Sequence, residues 1–175
     1  MKYFILLLLC SCSIISVRPA AKQCSLPVFI ASKNLQQNQQ ERTNSAIKHW
    51  NESVGINVFF DLGDVAWAEI EQNQGFVLIS ISENLRSSAL ATTNIIINSK
   101  KCIQSAKIYI NSNYSNYNID VFETIIRHEL GHVLGFYHTS DFTKLMYSNI
   151  ENSVQHPVDV SEEEIRELRQ NMLSL

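Results

Sequence analysis

Five short stretches of the chain are dense in apolar, β-branched and aromatic positions. They are residues 26–31, 56–60, 76–81, 92–97 and 107–110. Runs of this length and composition are typical of β-strands that pack at least one face in a core. The pattern therefore predicts five strands, all of them in the first two thirds of the chain.

Between the first two strands the apolar spacing changes. Ala46, Ile47, Trp50 and Val54 recur three or four residues apart, which places them on one face of a helix. Gly55 follows directly, and a glycine at this point ends a helix because it adopts the left-handed conformation at little cost. A helix ending at Gly55 is therefore predicted.

Two more helices are predicted after the last strand. Asp120 and Glu123 form a capping-box pair, and the helix that follows carries apolar side chains at Phe122, Ile126, Leu130 and Val133. Ser161 and Glu164 form a second capping box, ahead of a final helix whose apolar face carries Ile165, Leu168 and Met172. The polar segment 111–118 has no apolar period and is predicted to be a loop.

This order of elements is typical of the α+β class with one mixed sheet. With 175 residues and 45% hydrophobic composition, the chain is long enough for one packed domain. Its net charge of -3 comes from dispersed acids and bases without a basic stripe. Nucleic acid is therefore not an expected partner.

The N-terminal region has the pattern of an export signal. Met1-Lys2 supplies a charged start, and the apolar run that continues to Leu9 is too short to span a bilayer. Leu9-Cys10-Ser11-Cys12 resembles a bacterial lipobox, in which Cys12 becomes the lipidated first residue. Ordinary signal cleavage before Lys22 is the alternative, and both predict export to the cell surface or the extracellular space.

Residues 1–21 are interpreted as the targeting segment and tether, and residues 24–175 as one domain. Of the four cysteines, only Cys24 and Cys102 belong to that domain. Two cysteines in an exported protein are most simply a disulfide. Neither has a second Cys or a His at metal-ligand spacing, which argues against a structural zinc site there.

Residues 128–138 read His-Glu-Leu-Gly-His-Val-Leu-Gly-Phe-Tyr-His. His128 and His132 are one helical turn apart, so both imidazoles can reach one ion at about 2.0 to 2.1 Å. Glu129 can meet a water at that ion without binding the ion itself. Gly135 can end the helix and turn the chain so that His138 becomes the third ligand. Three nitrogens with one open position are the donor set of a catalytic zinc site.

A coincidental surface helix is the alternative interpretation, because an isolated His-Glu-x-x-His pattern occurs by chance. Here the match extends to Gly135 and His138 at fixed spacing. Three of the five histidines of the chain fall in this segment. The extended pattern therefore favours a metal site.

The pattern H-E-x-x-H-x-x-G-x-x-H, followed by Leu145-Met146-Tyr147, resembles the metzincin metallopeptidases and their Met-turn. Within that clan the chain is most similar to matrixins, in a minimal form without accessory domains or a prodomain. The resemblance implies a metzincin-like α+β domain, with a mixed, mostly parallel sheet, an active-site helix and a C-terminal helix. It also implies that Met146 packs beneath the ligands and that substrate lies along the strand at residues 92–97.

The sequence also departs from matrixins. Ser148 stands where they commonly have proline after the Met-Tyr pair. No histidine lies between Trp50 and Arg127, where vertebrate-type matrixins hold a second, structural zinc, so one zinc ion is expected. Calcium is possible in such a fold, but Asp61 and Asp64 are interpreted as solvated loop acids and do not support a site.

Two further interpretations concern residues outside the motif. Cys24 as a zinc-blocking thiol that keeps the enzyme latent is an alternative to its disulfide with Cys102. His49 and His156 are interpreted as structural, because neither has a partner at ligand spacing.

Together these features predict an exported zinc endopeptidase that acts on protein or peptide substrates. Zinc lowers the pKa of its water, and Glu129 takes the proton as the water attacks a peptide carbonyl. A binding module that has lost turnover and a hydrolase of small amides are the alternatives, and the intact ligands and base favour the peptidase. A monomer is expected, with membrane contact only through a lipid anchor at Cys12.

Overall fold

The computed structural model describes residues 23–64, 76–85, 89–115, 119–148 and 159–173. Within these ranges five strands and four helices follow one another along the chain. They are β1 (Val28–Lys33), α1 (Gln37–Val54), β2 (Phe59–Asp64), β3 (Phe76–Ser82), β4 (Ala91–Ile97), β5 (Ile103–Asn111), α2 (Ser112–Ser115), α3 (Ile119–Val133) and α4 (Glu162–Leu173).

The five strands form one sheet in the order β2-β1-β3-β5-β4. β1 is parallel to β2 and to β3, and β3 is parallel to β5. Only β4, at one edge, runs antiparallel to its neighbour β5. The predicted α+β domain with a mixed, mostly parallel sheet is confirmed, and the strand predicted over residues 92–97 is this edge strand.

The first strand after α1 begins at Phe59 and not at residue 56 as predicted. Val58 N donates to Ile56 O at 3.0 Å, which shows that residues 56–58 turn the chain after the end of α1. The Asn51 side chain then donates to Phe59 O and accepts from Phe59 N, both at 2.9 Å. These two bonds from the helix occupy the backbone groups at the start of β2.

Part of the segment 111–118 that was predicted to be a loop forms the one-turn helix α2. Asn111 Oδ1 accepts a hydrogen bond from Asn113 N at 3.0 Å, and Asn111 Nδ2 donates to Ala89 O at 2.8 Å. The buried Asn111 side chain thus satisfies a backbone N–H at the start of the turn. An asparagine can do this without any apolar period in the segment that follows, which is why the pattern did not predict the helix.

Helices α1 and α3 pack against each other over the core. Trp50 is fully buried, donates its indole N–H to Arg127 O at 2.9 Å and stacks on Phe136 with ring centroids 5.9 Å apart. The predicted end of α1 is confirmed, with Gly55 in the left-handed region at a φ of 81°. The predicted apolar faces of the two helices are buried at Ala46, Ile47, Trp50 and Val54 and at Phe122, Ile126, Leu130 and Val133.

The capping box predicted for α4 is confirmed. Ser161 N donates to Glu164 Oε2 at 2.7 Å, and Glu164 N donates to Ser161 Oγ at 3.2 Å. Ile165 and Leu168 are buried as predicted, whereas the side chain of Met172 lies outside the described part of the chain. These bonds fix where the C-terminal helix begins.

The predicted disulfide between Cys24 and Cys102 is confirmed, with a Cα–Cα distance of 5.3 Å. It joins the segment before β1 to the residue before β5, and it closes a loop with a sequence separation of 78. Closing so long a loop stabilises the fold by roughly 4 to 5 kcal/mol in the chain-entropy treatment. Because the Cys24 sulfur is bonded to Cys102, the interpretation of Cys24 as a zinc-blocking thiol is wrong.

The predicted targeting segment, residues 1–21 with Cys12, lies outside the described residues. In the part of the chain that the structure describes, no helix combines the length and the apolar character needed to cross a bilayer.

The capping box predicted from Asp120 and Glu123 is wrong, because α3 already contains Ile119 and Asp120 lies within the helix. Glu123 instead forms a buried ion pair with Arg127, at 2.5 Å between Oε1 and Nη2. Ser45 Oγ on α1 donates to the same carboxylate at 2.9 Å. Arg42 Nη1, also on α1, donates to it at 3.0 Å, so that Glu123 links the two helices.

Burial alone raises the pKa of Glu123, but hydrogen bonds from Arg127, Ser45 and Arg42 outweigh it and hold the pKa below its usual value. A carboxyl group with a lowered folded-state pKa stabilises the fold above its unfolded pKa of about 4.3. That stabilisation is lost as the pH falls through the folded-state pKa.

We therefore expect Glu123→Gln to lower the free energy of unfolding by roughly 3 kcal/mol at pH 7, because it leaves Arg127 without its buried partner. The difference from the wild type should shrink as the pH falls below about 4.3. Urea unfolding across this pH range measures it, with Glu167→Gln on the exposed side of α4 as the matched control. A difference that does not change with pH would contradict the assignment.

Candidate metal centre

Helix α3 carries the first two predicted ligands. His128 and His132 are one turn apart and almost completely buried, with 0% and 4% exposure. Their ring centroids lie 4.8 Å apart, at nearly right angles. The helix therefore presents two imidazoles to the same small volume, as their spacing predicts.

The third histidine arrives through a sharp turn at the end of α3. Gly135 has a φ of 97°, and the bonds Gly135 N to His132 O and Phe136 N to Gly131 O, each 3.0 Å, close the helix. The chain then returns toward α3. His138 Nε2 lies 3.1 Å from His128 Nε2 and 3.2 Å from His132 Nε2.

Two backbone carbonyls orient the rings on α3. His128 Nδ1 donates to Leu145 O at 2.7 Å, and His132 Nδ1 donates to Phe136 O at 2.8 Å. A carbonyl oxygen can only accept, so each Nδ1 carries the proton and each Nε2 presents a lone pair. Both of these lone pairs face His138 Nε2, so a cation bound among the three nitrogens would be in reach of each ring.

The donor set fits zinc. Nitrogens bound tetrahedrally at about 2.0 to 2.1 Å from one ion lie about 3.3 Å apart, close to the two distances observed to His138 Nε2. Among the described residues, one group of His, Cys, Asp and Glu side chains is arranged to hold a metal ion, and it consists of His128, His132 and His138. These three residues are the predicted ligands of one catalytic zinc.

Burial keeps the three histidines neutral. Burial is the main reason that the pKa of His128 lies well below its usual range, and burial also lowers the pKa of His132. The pKa of His138 falls to about 4, because of burial and then the neighbouring His132. Neutral imidazole is the form that binds metal, so the ligands need no deprotonation at neutral pH.

Glu129 lies next to the first ligand and is 2% exposed. The Thr93 hydroxyl on β4 donates a hydrogen bond to Glu129 Oε2. Burial raises the pKa of Glu129 to about 7, and the bond from Thr93 opposes that rise. A carboxyl group with a pKa near neutrality can both take and return a proton at that pH.

Met146, which the Met-turn resemblance places beneath the ligands, packs against α3 at Gly131, the residue before His132. It is 2% exposed, and the loop that carries it is held by a bond from Thr139 N to Met146 O at 2.9 Å. Its sulfur fills the space where a side chain at Gly131 would stand, and Trp50 closes the same space at 3.4 Å from that position. Gly131 therefore allows the Met146 loop to approach α3 closely.

The other candidates lie elsewhere or outside the described residues. His49 Nε2 is 3.6 Å from Asp159 and takes no part in the ligand group, in keeping with a structural role. Asp61 Oδ1 accepts a hydrogen bond from Gly63 N at 2.9 Å, and Asp64 is exposed. His156 lies outside the described residues.

Sequence reasoning missed the groups that support the ligands. The Leu145 and Phe136 carbonyls leave no signal in a sequence, because every residue has a carbonyl. Thr93 left a weak one, since a threonine interrupts an otherwise apolar strand face. Glu123 was assigned to a capping box, although its spacing of four residues from Arg127 also fits an ion pair on one helix face.

Helix α3 is buried and carries two histidines and a buried glutamate next to the first of them, and a third histidine follows the glycine turn. Together these features define a zinc metallopeptidase centre. The family comparison gives the same class. Residues 14–168 match the model of the family described as "dual-action HEIGH metallo-peptidase", and the chain belongs to that family. Its His128-Glu129-Leu130-Gly131-His132 segment has Leu where the family's description has Ile.

The fold is similar to that of solved archaemetzincins. The structure from Methanopyrus kandleri has a TM-score of 0.57 at 8% identity and covers 89% of this chain and 98% of its own. A malonate complex from Archaeoglobus fulgidus has a TM-score of 0.44 at 13% identity, covering 81% of this chain and 99% of its own. No match was found among curated proteins. The family match supports the zinc metallopeptidase class, and none of the comparisons shows the matrixin group.

We expect Gly131→Ala to lower the free energy of unfolding by up to about 2 kcal/mol. Overpacking against Met146 and Trp50 costs about 1 to 3 kcal/mol, and the better helix propensity of alanine offsets about 1 kcal/mol of it. Urea unfolding measures the loss. In a Met146→Ala background, where the space is open, the same substitution should no longer destabilise. An equal loss in both backgrounds would refute the contact.

Proposed function

We propose that this protein is an endopeptidase in which His128, His132 and His138 hold one zinc ion and Glu129 acts as the general base. The observation that carries the proposal is the convergence of three oriented ring nitrogens beside a buried carboxylate. Binding alone would not need a buried glutamate next to the ligands. Membership of a metallopeptidase family supports protein or peptide substrates.

Zinc in such a site supplies a Lewis acid and a water whose pKa is lowered to near 7. Glu129 accepts a proton from the attacking water and then delivers it to the leaving amine nitrogen. With Oε2 bonded to Thr93, Oε1 is the atom that exchanges the proton. The Leu145 and Phe136 carbonyls keep two of the imidazoles in the tautomer that binds metal.

For the substrate cleft we retain the comparison with matrixins. β4 is an edge strand and it packs next to α3. An edge strand can bind an extended peptide through backbone hydrogen bonds, which give affinity that depends little on sequence. Side-chain preference would come from a pocket just after the cleaved bond, bordered by α3 and by Tyr147 and Ser148. Asn149, which the sequence also placed there, lies outside the described residues.

We further propose that the protein is exported. The disulfide between Cys24 and Cys102 supports this, because such bonds persist mainly in oxidising compartments. The pattern at Met1-Lys2 and the following apolar run supports it independently. The same proposal includes a lipid anchor at Cys12. If Cys12 is lipidated, the Cys12→Ala variant should be released from membranes, and a variant that releases no protein would count against the anchor.

The purified protein is expected to contain one zinc per chain and to degrade unfolded casein, with activity abolished by 1,10-phenanthroline. Glu129→Gln should keep the zinc and lower turnover by about 10²- to 10⁴-fold, because it removes the base but no ligand. Metal analysis and a casein assay measure the two effects. Glu167→Gln is the matched control and should keep full activity.

Two outcomes would reject the mechanism. Active protein that holds no zinc would exclude the metal site, and Glu129→Gln with wild-type turnover would exclude the base. Zinc binding without hydrolysis of casein or of any peptide would favour the binding module over the enzyme.

A cleavage-site profile on a peptide library should show Leu, Ile or Met directly after the cut. Burying such a side chain in an apolar pocket contributes about 1.5 to 3 kcal/mol relative to an exposed one. Identification of the new N-termini by mass spectrometry reads the preference directly. A dominant charged residue at that position would overturn the pocket assignment.

A further inference from the structure

One threonine interrupts the side of β4 that faces the core. Alternate residues of a strand point to the same side, and on this side β4 carries Ala91, Thr93, Ile95 and Ile97. Ala91 is buried, and Ile95 packs against the core that α3 helps to form. A hydroxyl on such a face is costly unless it is hydrogen-bonded.

The Thr93 hydroxyl is bonded to the catalytic carboxylate. It donates to Glu129 Oε2, and within the described part of the chain it is the one side chain that bonds to Glu129. A glutamate side chain has three rotatable bonds, and burial alone does not select the rotamer that points its carboxylate at a reacting water. The bond from Thr93 fixes one oxygen and thereby the orientation of the other.

The position of Thr93 gives this bond a further consequence. Among the described strands β4 bonds only to β5, with Thr93 opposite Ile108, and its other side is an edge of the sheet that these strands form. If a peptide pairs with that edge, the strand that holds the peptide also holds the base. The distance between the cleaved bond and Glu129 is then set by one strand.

Resting on the proposed peptidase function, we propose that Thr93 is a positioning residue that holds the Glu129 carboxylate in its reactive orientation and couples it to the substrate-binding edge of the sheet. It acts through Glu129 and does not itself touch the reacting atoms. The hydroxyl, and not the methyl group, carries this role.

The first test compares three variants with the wild type in steady-state cleavage of a fluorogenic peptide. Thr93→Val keeps the shape and removes the donor, so kcat should fall roughly 10- to 100-fold with KM little changed, the range seen when an outer partner of a metal site is lost. Thr93→Ser keeps the hydroxyl and should restore most of kcat. The matched control is Thr43→Val on α1, where a buried threonine hydroxyl donates to Gln39 O at 2.9 Å; it should leave kcat unchanged.

Three results would overturn the proposal. They are a Thr93→Val kcat equal to that of Thr43→Val, an equal loss of kcat in Thr93→Val and Thr93→Ser, and a rise in KM without a fall in kcat. Zinc content is measured in parallel by chelator competition, and Thr93→Val should bind zinc as tightly as the wild type.

A second test needs no activity. In thermal unfolding of the metal-free protein, Thr93→Val and Glu129→Met should not be additive, because Val removes the donor and Met removes the acceptor of the same bond; the double variant should shift the midpoint by less than the two single shifts combined. Additive shifts would exclude the bond. If the wild type cleaves no peptide, the proposed function fails while this cycle still decides whether Thr93 holds Glu129.

Discussion

The structure depends on bringing three imidazole nitrogens to one point. The Nε2 atoms of His128 and His132 lie 3.1 and 3.2 Å from His138 Nε2, and the rest of the molecule must supply the force that keeps them in place. That force comes from the burial of α3 against α1 and the sheet, and from the Leu145 and Phe136 carbonyls that fix two of the rings. The sharp turn at Gly135 then directs the chain so that His138 comes back toward the other two histidines.

Much of the fold could be predicted from periodicity because the apolar faces agree with the tertiary structure. The face of α1 around Trp50 and the final helix after Ser161 follow directly from side-chain spacing and capping chemistry. The errors occur where a single polar side chain decides the local conformation. Asn51 accepts a hydrogen bond from Phe59 N at the start of β2, and Asn111 accepts one from Asn113 N at the start of α2; neither bond leaves an apolar period in the sequence.

The site divides in the same way. Its ligands and base could be predicted because metal chemistry restricts both residue type and spacing on one helix and its turn. Its supporting groups could not, because Thr93, Leu145 and Phe136 act through contacts that require the folded sheet and loop. For Glu123 the local pattern predicted the wrong partner. The sequence pointed to a capping box with Asp120, whereas the structure shows a buried ion pair with Arg127.

The burial of Met146 has a chemical consequence for a protein stabilised by a disulfide. Surroundings that oxidise Cys24 and Cys102 also threaten methionine thioethers, which become bulkier and polar as sulfoxides. The Met146 sulfur is shielded from such oxidants, since the residue is 2% exposed and its side chain fits into the space above Gly131. The close packing of the Met146 sulfur against Gly131 thus protects a methionine next to the zinc-binding helix from oxidation.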